Sequence, residues 1–188
     1  EEFLGAGGML VTLGNGSALA LDGGLVRDVR RRGGQFFTPG SELKVKFVRP
    51  DHPLAYGSPE VTSVFRSMMP VYDIDRSERD KVVLQWGTKL RKEDREDESA
   101  EALQALTKEE REAREKAKKD EVKMLVSGAV KGDDDLEGRP AILDLPAGKG
   151  RVIAFNFNPI HRDLNRSDHR FLWNALLNWD YIGAGLKK

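Results

Sequence analysis

Short apolar runs bounded by glycine, proline and aspartate recur along the chain. They are rich in β-branched and aromatic residues, which is typical of strands. We predict strands at residues 8–13, 42–48, 70–74, 81–86, 123–127, 140–145 and 151–157.

The hydrophobic pattern also indicates how these elements are buried. Leu43, Val45 and Phe47 alternate with polar or charged residues, which predicts a half-exposed strand, whereas the continuous run 152–155 predicts a buried central strand. A final helix over 168–181 carries one apolar face, formed by Phe171, Leu172, Ala175, Leu176 and Trp179. Together these elements predict an α/β or α+β sheet domain.

One segment departs from this pattern, since 23 of the 35 residues from 89 to 123 are charged. A capping-box sequence at Thr107 and Glu/basic pairs four residues apart predict a solvated helix. We interpret residues 88–121 as a charged helical insertion, either a surface excursion or, through Leu103 and Leu106, a docking arm. As an excursion, residues 92–119 should be removable at a cost within about 1 kcal/mol.

Composition excludes several functional classes. The 188 residues include 31 basic and 31 acidic ones, so no charge bias favours nucleic acid or an anionic membrane. The absence of cysteine excludes disulfides, thiolate metal sites and cysteine nucleophiles. No apolar run is long enough to span a membrane. The chain opens on Glu1 with a glycine-capped helix end, which indicates a piece of a longer protein.

The turn after the first strand, GNGS at 14–17, resembles sites that carry chemistry in α/β enzymes. Leu19 stands where a dinucleotide loop has its third glycine, and Asn15 and Leu19 flank Ser17 where a nucleophile elbow has glycines. We therefore interpret the segment as a polar turn.

The histidines and acidic residues do not match a metal-binding pattern. His52 lies in a Pro/Gly turn, where imidazole usually bonds to the backbone, and the spacing of His161 and His169 fits no common zinc motif. The acidic run 133–135 lacks the spacing of a calcium loop and predicts an exposed turn. We expect no metal ligands and no cofactor in this segment.

Six blocks in order resemble the amidotransferase-like domain that follows the catalytic domain of some bacterial zinc carboxypeptidases. They are AGGMLV (6–11), PGSELK (39–44), HPLAYG (52–57), SGAVKG (127–132), PAILDLPAGKGRVIAFNFNPIHR (140–162) and FLWNALL (171–177). The resemblance implies a three-layer, flavodoxin-like sheet domain of the class I glutamine amidotransferase-like type. It would span 1–188, lack its amino-terminal strands, and contain the insertion 88–121.

The resemblance also implies that the glutaminase triad is missing. The nucleophile position falls in residues 13–16, without cysteine, and the His-Pro-Glu triplet corresponds to Asn158, Pro159 and Ile160. An amide cannot act as a general base, and isoleucine cannot orient one. The zinc motif of the carboxypeptidases is absent as well. Hydrolysis through Ser17 is the enzymatic alternative, although no histidine is placed by sequence to activate it.

We therefore expect no catalytic residues and a non-catalytic accessory domain, scaffold or ligand-binding, of a zinc-carboxypeptidase-like protein. Zinc would belong to a catalytic domain of the same parent chain, and the location would be extracellular or periplasmic if that parent is secreted. The alternative is a stand-alone module that binds a sugar or a peptide carboxylate. The expected ligand-binding residues are Asn15, Asn158, His161 and Arg162. Arg162 is the first choice for an anion, although an ion pair with Asp163 or Asp168 is the commoner role for such a residue.

Overall fold

The computed structural model describes residues 1–34, 36–94, 107 and 123–183. Nine strands are present in this part of the chain: β1 Met9–Leu13, β2 Val29–Arg31, β3 Ser41–Phe47, β4 Val61–Arg66, β5 Tyr72–Ile74, β6 Val82–Trp86, β7 Leu125–Ser127, β8 Pro140–Ala147 and β9 Gly150–Phe155. The helices are α1 Glu2–Gly5, α2 Ser17–Leu21, α3 Asp133–Leu136, α4 His169–Leu177 and α5 Trp179–Gly183. The charged helix predicted within 88–121 falls largely outside the described residues.

The fold is α/β with a mixed central sheet of order β1-β9-β8-β6-β3-β4, and β7 pairs with β3. β1 and β9 are parallel, with Leu13 opposite Phe155, while the other pairs of this sheet are antiparallel. A flavodoxin-like sheet would be mainly parallel. The difference arises partly because the tight turn at Gly148 and Lys149 joins β8 to β9 as a hairpin, which requires antiparallel strands.

Both faces of the sheet are covered. On one face, which we call the helix-side core, Leu43, Val45, Ile153 and Phe155 pack with Phe171 of α4. On the other, the ribbon-side core, side chains such as Leu143, Leu145 and Val152 pack with α1, α2 and the antiparallel β2–β5 ribbon. Covering both faces explains why residues 152–155 are fully buried, as the sequence predicts.

Two strands were not predicted, and the last helix differs from its prediction. β3 alternates between buried and half-buried residues as expected, but the short β2 and the border strand β4 lack a strong apolar pattern. The final helix is interrupted at Asn178, and Leu176 and Trp179 are exposed rather than buried. Phe171 and Ala175 of the predicted face are buried, and beside them the side chain of Asn174 donates to the carbonyls of Leu54 and Tyr56.

A network of charged residues, which we call the charged foot, ties residues 88–94 to the sheet. Arg91 and Arg139 are almost fully buried, and both contact Asp73. Arg91 also bonds to Asp94 at 2.5 Å, and Arg139 pairs with Glu93. The start of the predicted insertion is therefore part of the packed domain, so a deletion that spares the network must begin after Asp94.

Candidate functional site

The chain turns that follow β1, β4 and β9 meet at one end of the central sheet. β1, β4, β6, β7 and β9 all end there, because the pairings orient these strands in the same direction. We call this the carboxyl end of the sheet. Open α/β sheets usually bind ligands at this end.

The turn after β1 is a short 3₁₀ turn at Gly14–Gly16 that leads into α2. Gly14 has a φ of 55°, in the left-handed region that favours glycine, and its amide donates to the carbonyl of Phe157 at 3.0 Å. The turn after β1 is thereby bound to the turn after β9.

Ser17 is fully buried and is part of the scaffold. Its hydroxyl donates to the carbonyl of Phe155 at 2.8 Å and accepts a hydrogen bond from Thr12 at 3.1 Å. A hydroxyl held in this way cannot reach a substrate. The alternative that Ser17 acts as a nucleophile is therefore wrong.

The turn after β9 carries three of the four residues expected from sequence. Asn158 lies beside Gly14, but its side-chain oxygen accepts the amide of Ile160 at 3.1 Å. His161 stacks on Phe65 of β4 with ring centroids 5.0 Å apart. Both side chains hold the turn in place.

Arg162 is exposed, and neither ion pair expected for it is formed. Asp163 pairs instead with Arg166 at 3.0 Å and with His169 at 3.6 Å, while Asp168 accepts the amide of Phe65. Arg162 and Asp163 both have positive φ values, 53° and 55°, a conformation that non-glycine residues rarely adopt.

A cavity of about 410 Å³ opens at the carboxyl end of the sheet, between the turn after β1, the segment after β2 and the segment after β4. Asn15 is the one residue of the expected four that lines it. The described residues that line it are Asn15, Arg31, Arg32, Gly33, Gly34, Phe36, Met68, Met69, Pro70 and Val71. Sequence reasoning missed the arginines, although the basic run before Gly33 and Gly34 is a local signal in a chain of balanced charge.

Arg66 fixes the wall of this cavity. Its guanidinium donates to the carbonyl of Met69 at 2.6 Å, to that of Ser67 at 3.2 Å and to the hydroxyl of Thr38. It also lies 5.4 Å from the ring centre of Trp86. No carboxylate among the described residues pairs with this cation, and burial lowers the pKa of Arg66 to about 10. A buried positive charge thus lies behind the segment that carries Met68 and Met69.

Comparison with known proteins yields one structural likeness. No family model matches the sequence, and no curated protein matches it. The structure resembles that of a ThuA-like protein from Bacteroides uniformis ATCC 8492, which has a class I glutamine amidotransferase-like fold. The TM-score is 0.43 at 13% sequence identity, and the match covers 93% of this chain and 59% of that one. The chain therefore spans less than two thirds of the length of the protein it resembles.

The other candidate residues have structural roles. His52 is buried, accepts the amide of Leu54 at its Nδ1 and faces Asp144 with its Nε2, which confirms the predicted bond to the backbone. Residues 133–135 begin α3 and are exposed. Within the described ranges, three or more potential metal ligands do not converge anywhere, and no helix there could cross a membrane.

Proposed function

We propose that this chain is a non-catalytic, ligand-binding accessory domain. The observation that carries the proposal is the turn after β1, where an α/β hydrolase would place its nucleophile. It presents Gly14, Asn15 and Gly16, and its one hydroxyl, that of Ser17, is turned into the protein. A site without a nucleophile or a nearby base favours binding over hydrolysis.

We further propose that the fold descends from the class I glutamine amidotransferase-like type. Two turns that would carry a glutaminase triad lie side by side, since the amide of Gly14 bonds to Phe157 and Asn158 lies next to Gly14. The parallel pairing of β1 with β9 produces this adjacency. The three-layer arrangement and the loss of the triad both belong to this proposal.

The cavity supports ligand binding. It combines arginine and asparagine side chains with an apolar wall, which is the composition expected of a small-molecule site. The ligand would be small and would carry at least one polar or charged group. A stand-alone binding module remains the second candidate, and it uses the same cavity.

A thermal-shift screen with sugars and amino-acid derivatives tests the proposal. A ligand at 100 times its dissociation constant should stabilise the protein by about 2.7 kcal/mol. Asn15→Ala should weaken binding, whereas Asn158→Ala is the matched control, because Asn158 lies next to the same turn but does not line the cavity. Hydrolysis of glutamine or of a simple ester by the purified chain would contradict the non-catalytic assignment.

The accessory role concerns the parent protein and needs a separate test. A zinc-carboxypeptidase domain encoded in the same reading frame would support it, together with an extracellular or periplasmic location. A reading frame that encodes no such domain would leave the stand-alone module.

A further inference from the structure

The guanidinium groups of the two arginines that line the cavity, Arg31 and Arg32, make only long contacts with the described acidic side chains. Arg31 contacts Asp22 at 3.4 Å, and Arg32 lies 3.6 Å from Asp135 and 3.8 Å from Asp73. These distances are long for charge-assisted hydrogen bonds. Within the described part of the chain, the guanidinium of Arg32 makes ion pairs but no hydrogen bond. Both side chains could therefore bond to an anion without first breaking a strong internal contact.

The rest of the cavity wall is mostly apolar. Phe36, Met68 and Val71 contribute apolar surface, and among the described lining residues Asn15 supplies the one side-chain amide. Met68 is 56% exposed, so its thioether is available for contact. A ligand that fills this space needs an apolar part as well as a charged one.

The surrounding charges favour a ligand with a single negative charge. Arg31 and Arg32 line the cavity and Arg66 lies behind its wall, but Asp22, Asp73 and Asp135 lie next to the two lining arginines. One carboxylate would be attracted by the guanidinium groups. The second charge of a phosphate would meet the three aspartates, where like charges repel.

We propose that this cavity binds a monocarboxylate with an apolar side chain, such as the carboxyl-terminal residue of a peptide. The guanidinium groups of Arg31 and Arg32 hold the carboxylate, and Asn15 bonds to the amide of the ligand. The apolar wall contacts the side chain. This assignment rests on the proposed ligand-binding function and specifies its ligand class.

Four small probes test the assignment by titration calorimetry or by NMR of the labelled chain. N-acetyl-leucine is the ligand, N-acetyl-leucinamide lacks the negative charge, isopentyl phosphate carries two charges, and glucose is a neutral sugar. N-acetyl-leucine should bind at least tenfold more tightly than each of the others, because a charge-assisted hydrogen bond has roughly that effect. Preference for the phosphate, the amide or glucose would overturn the carboxylate assignment while leaving ligand binding intact. Binding of none of the four would overturn the assignment, and the wider screen would then decide the proposed function.

Two variants test whether the carboxylate binds in this cavity. Arg31→Met and Arg32→Met remove the charge but keep an unbranched, flexible side chain, and each should weaken N-acetyl-leucine binding roughly tenfold. Arg30→Met is the control, because Arg30 is on the same strand, pairs with Asp75 and does not line the cavity. Circular dichroism checks that each variant is folded. Equal affinity in all three variants would show that the carboxylate binds elsewhere and would overturn the proposal.

Discussion

At the residue scale, Asp144 balances the charges in the interior of the helix-side core. Its carboxylate accepts a hydrogen bond from Arg151 at 2.6 Å, faces His52 at 3.1 Å, and lies 3.5 Å from Arg49. Burial alone would raise the pKa of Asp144, but the hydrogen bonds from His52 and Arg151 hold it below its usual value. The carboxylate is therefore charged at neutral pH and compensates neighbouring cations.

Replacing this carboxylate should be costly. Asp144→Ala leaves the side chain of Arg151 without its partner, and removing one member of a buried ion pair costs about 3–5 kcal/mol. Urea unfolding at pH 7 measures the loss. Asp163→Asn is the control, because the Asp163 side chain is 60% exposed, its ion pairs should contribute less than about 1 kcal/mol, and asparagine tolerates the positive φ of this position. Equal losses in the two variants would mean that the Asp144 network does not stabilise the fold.

The pKa of Asp168 is shifted upwards, in the direction opposite to that of Asp144. Burial raises its pKa to about 7, although the amide of Phe65 donates to it, and the negative charge of Glu42 acts in the same direction as burial. Because its pKa is higher in the folded state than in the unfolded state, the folded protein binds the extra proton. Stability from this group is full below about pH 4 and is lost as pH rises towards 7.

Asp168→Asn should remove this pH dependence. Between pH 4 and pH 8 the wild type should lose up to about 4 kcal/mol relative to the variant, since each pKa unit corresponds to about 1.4 kcal/mol. Urea unfolding of both proteins at several pH values gives the difference. A difference that does not change with pH would show that Asp168 titrates normally in the folded chain.

Of the four residues that the sequence indicated, one lies at the cavity described above, and whether any of them binds a ligand stays a prediction. Asn15, which lines the cavity, could be indicated from the sequence because the apolar strand and the glycines around it mark the turn after β1. Arg31 and Arg32 could not be assigned to the cavity from the sequence. Their position there depends on the pairing of β2 with β5, which is decided by tertiary packing. From the sequence alone Arg66 would be expected at the surface, as most arginines are, and only the fold shows that it is buried.

At the element scale, the charged foot separates the insertion from the domain. Glu93 and Asp94 pair with the buried arginines Arg139 and Arg91, and the carboxylate of Glu137 accepts the amides of Thr88 and Lys89. Residues up to Asp94 therefore contribute to stability.

Two deletions test this boundary. Replacing residues 95–119 with a short Gly/Ser bridge should cost within about 1 kcal/mol, because loop-closure entropy changes slowly with length. Extending the deletion to start at Lys92 also removes Glu93 and Asp94, and should cost about 3 kcal/mol more, since Arg139 and Arg91 lose ionic partners. Both are measured by urea unfolding. A loss of several kcal/mol from the shorter deletion would identify the insertion as a docking or assembly element.

The prediction of elements succeeded where burial produces a clear pattern. β3 and β9 were predicted correctly, because the first is buried on one side and the second on both. β4 was missed because Thr62 and Ser63 interrupt its apolar residues at the border of the sheet. Strand direction could not be derived either, since parallel and antiparallel partners impose the same alternation on a single strand.

At the scale of the whole molecule, the two cores share one sheet. Adjacent residues of β8 divide between them, with Ile142 in the helix-side core and Leu143 in the ribbon-side core. A loss of packing on either face should therefore weaken the same sheet, and the domain should unfold in one step.

Matched substitutions on the two faces test this coupling. Leu43→Ala in the helix-side core and Leu145→Ala in the ribbon-side core remove the same group from fully buried positions, and each should cost about 2–5 kcal/mol. Tryptophan fluorescence, to which the buried Trp86 contributes, and far-UV circular dichroism should give one coincident transition in both variants. Two separate transitions would show that the cores unfold independently.

The parallel pair β1–β9 has a consequence for synthesis. β1 has β9 as its sheet partner, and the paired residues Met9 and Arg151 are roughly 140 positions apart. A ribosome adds about 5–20 residues per second, so β1 waits about 7–28 seconds for its partner to be translated. During that interval the apolar strand Met9–Leu13 has no sheet partner, and the turn after β1 lacks the hydrogen bond from Gly14 to Phe157 that ties it to the turn after β9.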